Sequence, residues 1–154
     1  MQRPYYIIIK EIIMALPEKR WVQRLDNYSK VLRHLEDFVA IRNERPLTVA
    51  EEYAIIKTFE LAFESAWNMM KDFLIEQGST AQFYGSRDVI RNAFRIGIIE
   101  DGNLWFEMIK DRNTTAHAYD EEIAMDVSFV VSNEYVEELL KLKTKFEKYK
   151  QEQE

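Results

Sequence analysis

The chain contains no cysteine, and only four glycines and three prolines among its 154 residues. Without cysteine there are no disulfides, no Cys-ligated zinc sites, no iron–sulfur clusters and no cysteine nucleophile. So few glycines and prolines leave too few turn formers for an all-β fold, and the long stretches lacking both favour few, long helices. Histidine is scarce too: His34 and His117 stand far apart, so neither a His-rich metal site nor any cofactor is expected. Phosphate-binding and hydrolase signatures (the P-loop, G-x-G-x-x-G and G-x-S-x-G) are absent. No apolar run approaches the ~20 residues of a membrane span, so no membrane role is expected. Positive charge is not in excess. The net charge is −6 and the pI about 5.1, which does not suit a generic nucleic-acid binder. An RNA function would need a local basic patch or a basic partner. The lack of disulfides fits a cytoplasmic protein.

What is present is core. Hydrophobic residues make up 47% of the chain and aromatic residues 13%, enough for one well-filled domain. The N-terminal MQRPYYIIIKEIIMAL is apolar, is interrupted by Lys10 and Glu11, and has no clear cleavage site. Residues 1–17 are read as an N-terminal extension of a single domain over 18–150. Residues 1–13 then form an upstream extension with Met14 as an alternative start. The competing reading is an extra strand or helical turn docked on the body.

The patterning predicts an all-α, up-and-down antiparallel bundle of four to five helices. The first runs from about Glu18 to Ala40, opened by Pro17, with the stripe Trp21, Leu25, Tyr28, Leu32, Leu35 and Val39. His34 lies off that stripe and is read as a surface residue. Asn43–Pro46 breaks the chain, and Thr48 with Glu51 forms a capping box. A second helix continues to about Gln77, with Gly78 as its stop. Its stripe is Ile56, Phe59, Phe63, Trp67, Met70 and Leu74, widened by Leu61, Ala62, Ala66 and Met69. Ser86 is expected to cap a short helix ending near Gly97. A fourth helix runs from about Asn103 through the segment 112–117. Asp120 caps a last helix to about Lys148, with the stripe Ile123, Val127, Val131, Tyr135, Leu139, Leu142 and Phe146.

The segment Asp111–Asp120, DRNTTAHAYD, concentrates chemistry: Arg112, Asn113, His117 and Tyr119 fall within eight residues. Arginine holds phosphate and histidine moves a proton near neutral pH, a kit for cutting a phosphodiester without a metal. If the helix persists, Arg112 and Tyr119 share a face, Asn113 and His117 share another, and Arg112 and His117 flank a groove. A second protomer on a two-fold axis would supply the same pair again. The alternative is that Arg112 pairs with a carboxylate and His117 ends a helix, where a cation is favoured. Arg87, Arg91 and Arg95, four apart, form a basic ridge that binds phosphates or an acidic partner, or else pairs with local carboxylates. Glu60 and Glu64 have no matching Glu-x-x-His and are read as structural.

Five stretches carry a resemblance: RWVQRLDNYSKVL at 20–32, RPLT at 45–48, FELAFESAWNMMKDFL at 59–74, GSRDVIRNAFRIGIIEDG at 85–102 and MIKDRNTTAHAYDEE at 108–122. Together they resemble the nucleotidyltransferase substrate-binding proteins, a branch of the HEPN superfamily. The resemblance implies a helical bundle, a two-fold homodimer and a minimal nucleotidyltransferase partner of the MNT type, in a hetero-oligomer. The partner's Gly-Ser and paired-Asp motif does not occur here, so this chain is not the transferase. Many HEPN proteins are metal-independent endoribonucleases, often toxins, with Arg, then four to six residues of which the first is polar, then His. Arg112, Asn113 and His117 match that motif. The resemblance implies His117 as proton-transfer group, Arg112 as phosphate stabiliser and Asn113 as orienting residue, with a 2′,3′-cyclic phosphate and a 5′-hydroxyl as products. In HEPN–MNT toxin–antitoxin pairs the motif extends to Arg-x4-His-x-Tyr, and the partner silences the toxin by AMP transfer to the tyrosine. Tyr119 occupies that position. The alternative is a non-catalytic substrate-binding subunit of a two-component nucleotidyltransferase.

Overall fold

A computed structural model describes residues 4–15 and 18–154, the side chains of 13–15 excepted. Pro17, expected to open the first core helix, lies outside the described residues, as does the side chain of Met14, the candidate alternative start. The chain is all-helical. Helix α1 is Tyr5–Ala15, α2 Arg20–Glu44, α3 Val49–Glu76, α4 Ser86–Arg95 and α5 Gly102–Thr114. A 3₁₀ turn, Thr115–His117, leads to α6, Glu121–Val130. A π-helical segment, Val131–Tyr135, joins α6 without a break to α7, Val136–Glu152. The five expected helices are all there, and α1 is additional. Its Tyr5, Tyr6, Ile8, Ile9 and Ile12 are exposed.

Helices α2 and α3 form the main antiparallel pair, with α7 against α2 and with α4, α5 and α6 against α3. The predicted stripes are the core. Trp21, Leu25, Tyr28, Leu32 and Leu35 of α2 are buried, as are Ile56, Phe59, Phe63, Met70 and Leu74 of α3. Val39 and Trp67 are half-buried at its margin. Leu61, placed in the widened arc, is exposed instead. His34 is exposed, as expected.

Most buried polar groups find partners, as a low-dielectric interior requires; Arg42 Nε and Arg112 Nε are exceptions among the described residues. Tyr28 Oη donates to the Leu139 carbonyl at 2.7 Å, and Trp21 Nε1 donates to Glu76 Oε2 at 2.6 Å. Arg42 of α2 bonds the carboxylate of Glu52 in α3 and donates to Ser128 Oγ of α6 at 2.7 Å, so one guanidinium ties three helices together.

Several boundaries differ from expectation for local reasons. The first core helix starts at Arg20 and persists to Glu44, beyond Ala40. Only Arg45, directly before Pro46, is steered out of the helical region, with φ −159° and ψ 162°. Ser86 does not cap α4. Gly85 occupies the cap position without a side-chain bond, and Asp88 reaches back to accept from the Tyr84 N–H at 3.0 Å. Thr48 does cap α3, accepting from the Glu51 N–H at 3.2 Å. Asp101 and Asp120 cap α5 and α6, each accepting a backbone N–H at 3.0 Å. Gly97 has φ +85°, the left-handed conformation that lets the chain leave α4. At Gly102 the fit is close: a Cβ there would lie 3.1 Å from the Phe94 ring, which would have to shift by a few tenths of an ångström. That contact seats the end of α4 against the start of α5.

Candidate functional site

The α-helix does not continue through His117. α5 ends at Thr114, and the chain tightens into the 3₁₀ turn Thr115–His117. The condition for Arg112 and Tyr119 to share a helical face is therefore not met. The turn is fixed by Thr115, which is buried and whose hydroxyl donates to the Arg112 carbonyl at 2.6 Å. Ala118, three residues on, packs against the core. In a 3₁₀ turn positions three apart eclipse, so these two residues face inward together. Asn113, His117 and Tyr119 are left exposed.

Arg112 is half-buried at the end of α5. Its Nη1 donates to Thr115 Oγ1 at 3.3 Å. Its Nε is buried and has no hydrogen-bond partner among the described residues. No ion pair joins Arg112 to a carboxylate among those residues, so the simple structural reading of this arginine lacks its partner. A guanidinium offers five donors in a planar fork, and Nη2 makes no hydrogen bond among the described residues. His117 Nδ1 lies 3.5 Å from Tyr119 Oη, with the two rings edge-on at 6.0 Å between centroids. Tyr119 is 82% exposed.

On its upstream side the segment is clamped. Tyr135, in the π-helical segment, donates its hydroxyl to the Asp111 carboxylate and stacks on Phe59 at 5.4 Å. Desolvation by burial, and then the Asp111 carboxylate beside it, push the Tyr135 phenol far above its ordinary range. Single π turns inside α-helices recur at functional sites. Here the π turn presents Tyr135 to the residue immediately before Arg112. Sequence reasoning took Tyr135 for part of an apolar stripe. A buried tyrosine needs a hydroxyl partner, which was the available signal, but the 24-residue separation from Asp111 hid the partner.

The second candidate element is the arginine ridge. Arg87, Arg91 and Arg95 lie along α4, and all three are exposed. Arg87 lies over the Phe106 ring of α5, 5.3 Å from its centroid. Arg91 reaches Asp88 at 3.7 Å, and Arg95 donates to Asn92 at 2.9 Å. Glu60 pairs with Lys57 at 3.9 Å, and Glu64 accepts from Trp67 Nε1 at 3.0 Å, so both have local partners. No group of three His, Cys, Asp or Glu residues is placed to hold a metal ion among the described residues. No helix there is long and apolar enough to cross a membrane.

Residues 23–148 match the family described as "Nucleotidyltransferase substrate binding protein like". A Haemophilus influenzae protein named "Probable ribonuclease HepT" is 31% identical over 100 residues, which cover 60% of this chain and 68% of that protein. A solved Haemophilus influenzae structure, described as the fold of a substrate binding domain of a nucleotidyltransferase, superposes with a TM-score of 0.69 at 28% identity. The match covers 79% of this chain and 97% of that one. A Thermus thermophilus crystal structure superposes with a TM-score of 0.62 at 25% identity, over 77% of this chain and 93% of its own.

Proposed function

The chain belongs to the nucleotidyltransferase substrate binding protein like family, and from that premise we propose that it is a toxin-like, metal-independent endoribonuclease held in check by a minimal nucleotidyltransferase. One observation carries the reading. Arg112, Asn113, His117 and Tyr119 gather where α5 gives way to the 3₁₀ turn, with Tyr119 Oη 3.5 Å from His117 Nδ1 and the Arg112 guanidinium free of any carboxylate among the described residues.

In this reading a ribose 2′-oxygen attacks the adjacent phosphorus. A new O2′–P bond forms and the P–O5′ bond breaks. His117 takes the 2′-hydroxyl proton or delivers one to the departing 5′-oxygen. Arg112 stabilises charge building on the phosphoryl oxygens, and Asn113 orients one of the two. A homodimer about a two-fold axis supplies a second copy of each group, so that one His117 acts as base and the other as acid. The partner silences the site by transferring AMP to the Tyr119 hydroxyl. The added phosphate lies beside Arg112 and His117 and fills the place of the RNA.

The test is cleavage of total RNA by the full chain in EDTA, with end-group analysis. Fragments ending in 2′,3′-cyclic phosphate and 5′-hydroxyl are expected. Intact RNA, from protein whose mass excludes AMP already on Tyr119, would overturn the nuclease reading. A second reading, a non-catalytic subunit that docks the transferase and presents its substrate, is favoured by the net charge of −6. It predicts a stable complex with the transferase and no cleavage by either form.

A further inference from the structure

We propose that the α4 arginine ridge is a single-strand track that feeds an RNA backbone to the Arg112–His117 turn. This rests on the nuclease reading and adds where the substrate lies. The three arginines recur every four residues, so their stems step about 6 Å at a time and span about 12 Å along one side of α4. Of the three, only Arg91 has a carboxylate among the described residues, at 3.7 Å on its own helix, and exposed pairs of that kind are weak. The ridge therefore keeps its charge for a ligand although the protein is acidic.

Its direction is set by two contacts. The end of α4 meets the start of α5 where Phe94 covers Gly102, and the start of α4 meets the middle of α5 where Arg87 covers Phe106. The helices are therefore antiparallel, and Arg87 is the end of the ridge nearer the C-terminus of α5. Phe106 and Asn113 are seven residues apart, within about 20° on the same face and about 10 Å along the axis. Arg87 thus sits above the very face of α5 that presents Asn113. The line Arg95, Arg91, Arg87 runs on to Asn113 and the turn bearing His117.

Aromatic residues border the track. Tyr84, just before α4, is 85% exposed, and Phe94 is 50% exposed. Cationic groups that follow a backbone, with aromatic faces on which bases stack, are how proteins hold single strands without reading sequence. An acidic protein partner would use the charges but has no need of the open rings, and this favours RNA as the occupant.

The experiment measures anisotropy of a 5′-labelled, 12-nucleotide single-stranded RNA across a potassium chloride series. It uses the full chain carrying His117→Ala to prevent cleavage. Arg91→Gln with Arg95→Gln touches only exposed side chains and should fold normally, whereas Arg87→Gln also removes the Phe106 packing and is read separately. The double variant should bind at least tenfold more weakly. The slope of log affinity against log salt should be shallower by about 0.7 for each phosphate that the variant no longer neutralises. Equal affinity and slope in parent and double variant would overturn the track, as would a parent that binds no RNA. Loss of transferase binding with RNA binding intact would assign the ridge to an acidic protein and also overturn it. Ridge-dependent binding by a wild type that never cleaves would keep the track and remove the nuclease, so the two failures are separable.

Discussion

Two tyrosines bracket Arg112, and they could hardly be treated more differently. Tyr135 is buried, stacked on Phe59 and bonded through its hydroxyl to Asp111. Tyr119 stands in solvent, its hydroxyl 3.5 Å from His117 Nδ1. The upstream side of the turn is thus anchored to the π-helical segment and the core, and the downstream side is held by Thr115, by Ala118 and by the Asp120 N–H donating to the His117 carbonyl at 3.1 Å. A site built this way keeps its arginine in register while leaving the histidine and the second tyrosine accessible. Rigid support on one side and an open face on the other is what the proposed roles of His117 and Tyr119 would require.

The comparison breaks most sharply at Tyr135. Tyr135→Phe leaves the Asp111 carboxylate without its donor, and should cost about 1–3 kcal/mol of stability by urea denaturation. It should also slow cleavage roughly tenfold by loosening the end of α5. Unchanged cleavage in a destabilised Tyr135→Phe protein would show that the clamp serves the fold alone. At alkaline pH the same burial becomes a liability. Desolvation raises the phenols of Tyr28 and Tyr135 above their ordinary values, so the unfolded chain gives up those protons first. Stability is fully present below about pH 10 and should fall as pH rises beyond it. A urea midpoint that holds steady from pH 8 to 11 would contradict this, and Tyr135→Phe should flatten part of the slope.

Tyr119→Phe sharpens the contrast from the other side. It should change stability by less than about 0.5 kcal/mol, as exposed substitutions do. Cleavage should survive, but AMP transfer by the partner, followed by intact mass, should vanish along with silencing. Equal silencing of Tyr119→Phe and wild type would remove the acceptor role. The smallest effect is expected from deleting residues 1–17. In the proposed division the core begins at residue 18, and Lys19 pairs with Glu76 at 2.8 Å. The deletion should leave the thermal midpoint within a few degrees, and a large drop would make α1 part of the fold.

Much of the scaffold was legible because it follows one rule. Apolar residues three and four apart, as in Trp21 to Leu35 and Phe59 to Leu74, have to be buried. Caps such as Thr48 and Asp120 are chemistry local to a few residues, and they hold. What was not legible depends on contacts distant in sequence or on competition at a helix end. The switch to 3₁₀ at Thr115 follows from burying Thr115 and Ala118 together, which periodicity does not announce. The Asp111–Tyr135 bond links helices that no local pattern connects. Asp88, not Ser86, serves the start of α4 because it reaches the Tyr84 N–H. The residues of the candidate site were visible as a motif. Their division into an anchored half and an open half was not.

The most direct test of the central claim is single-turnover RNA cleavage in EDTA by wild type, Arg112→Ala and His117→Ala, each freed of its partner and shown by mass to carry no AMP. The account predicts cleavage by wild type, and a loss of at least about a hundredfold in each variant, the scale of a proton-transfer group or a charge stabiliser. Wild-type cleavage matched by either variant would contradict it.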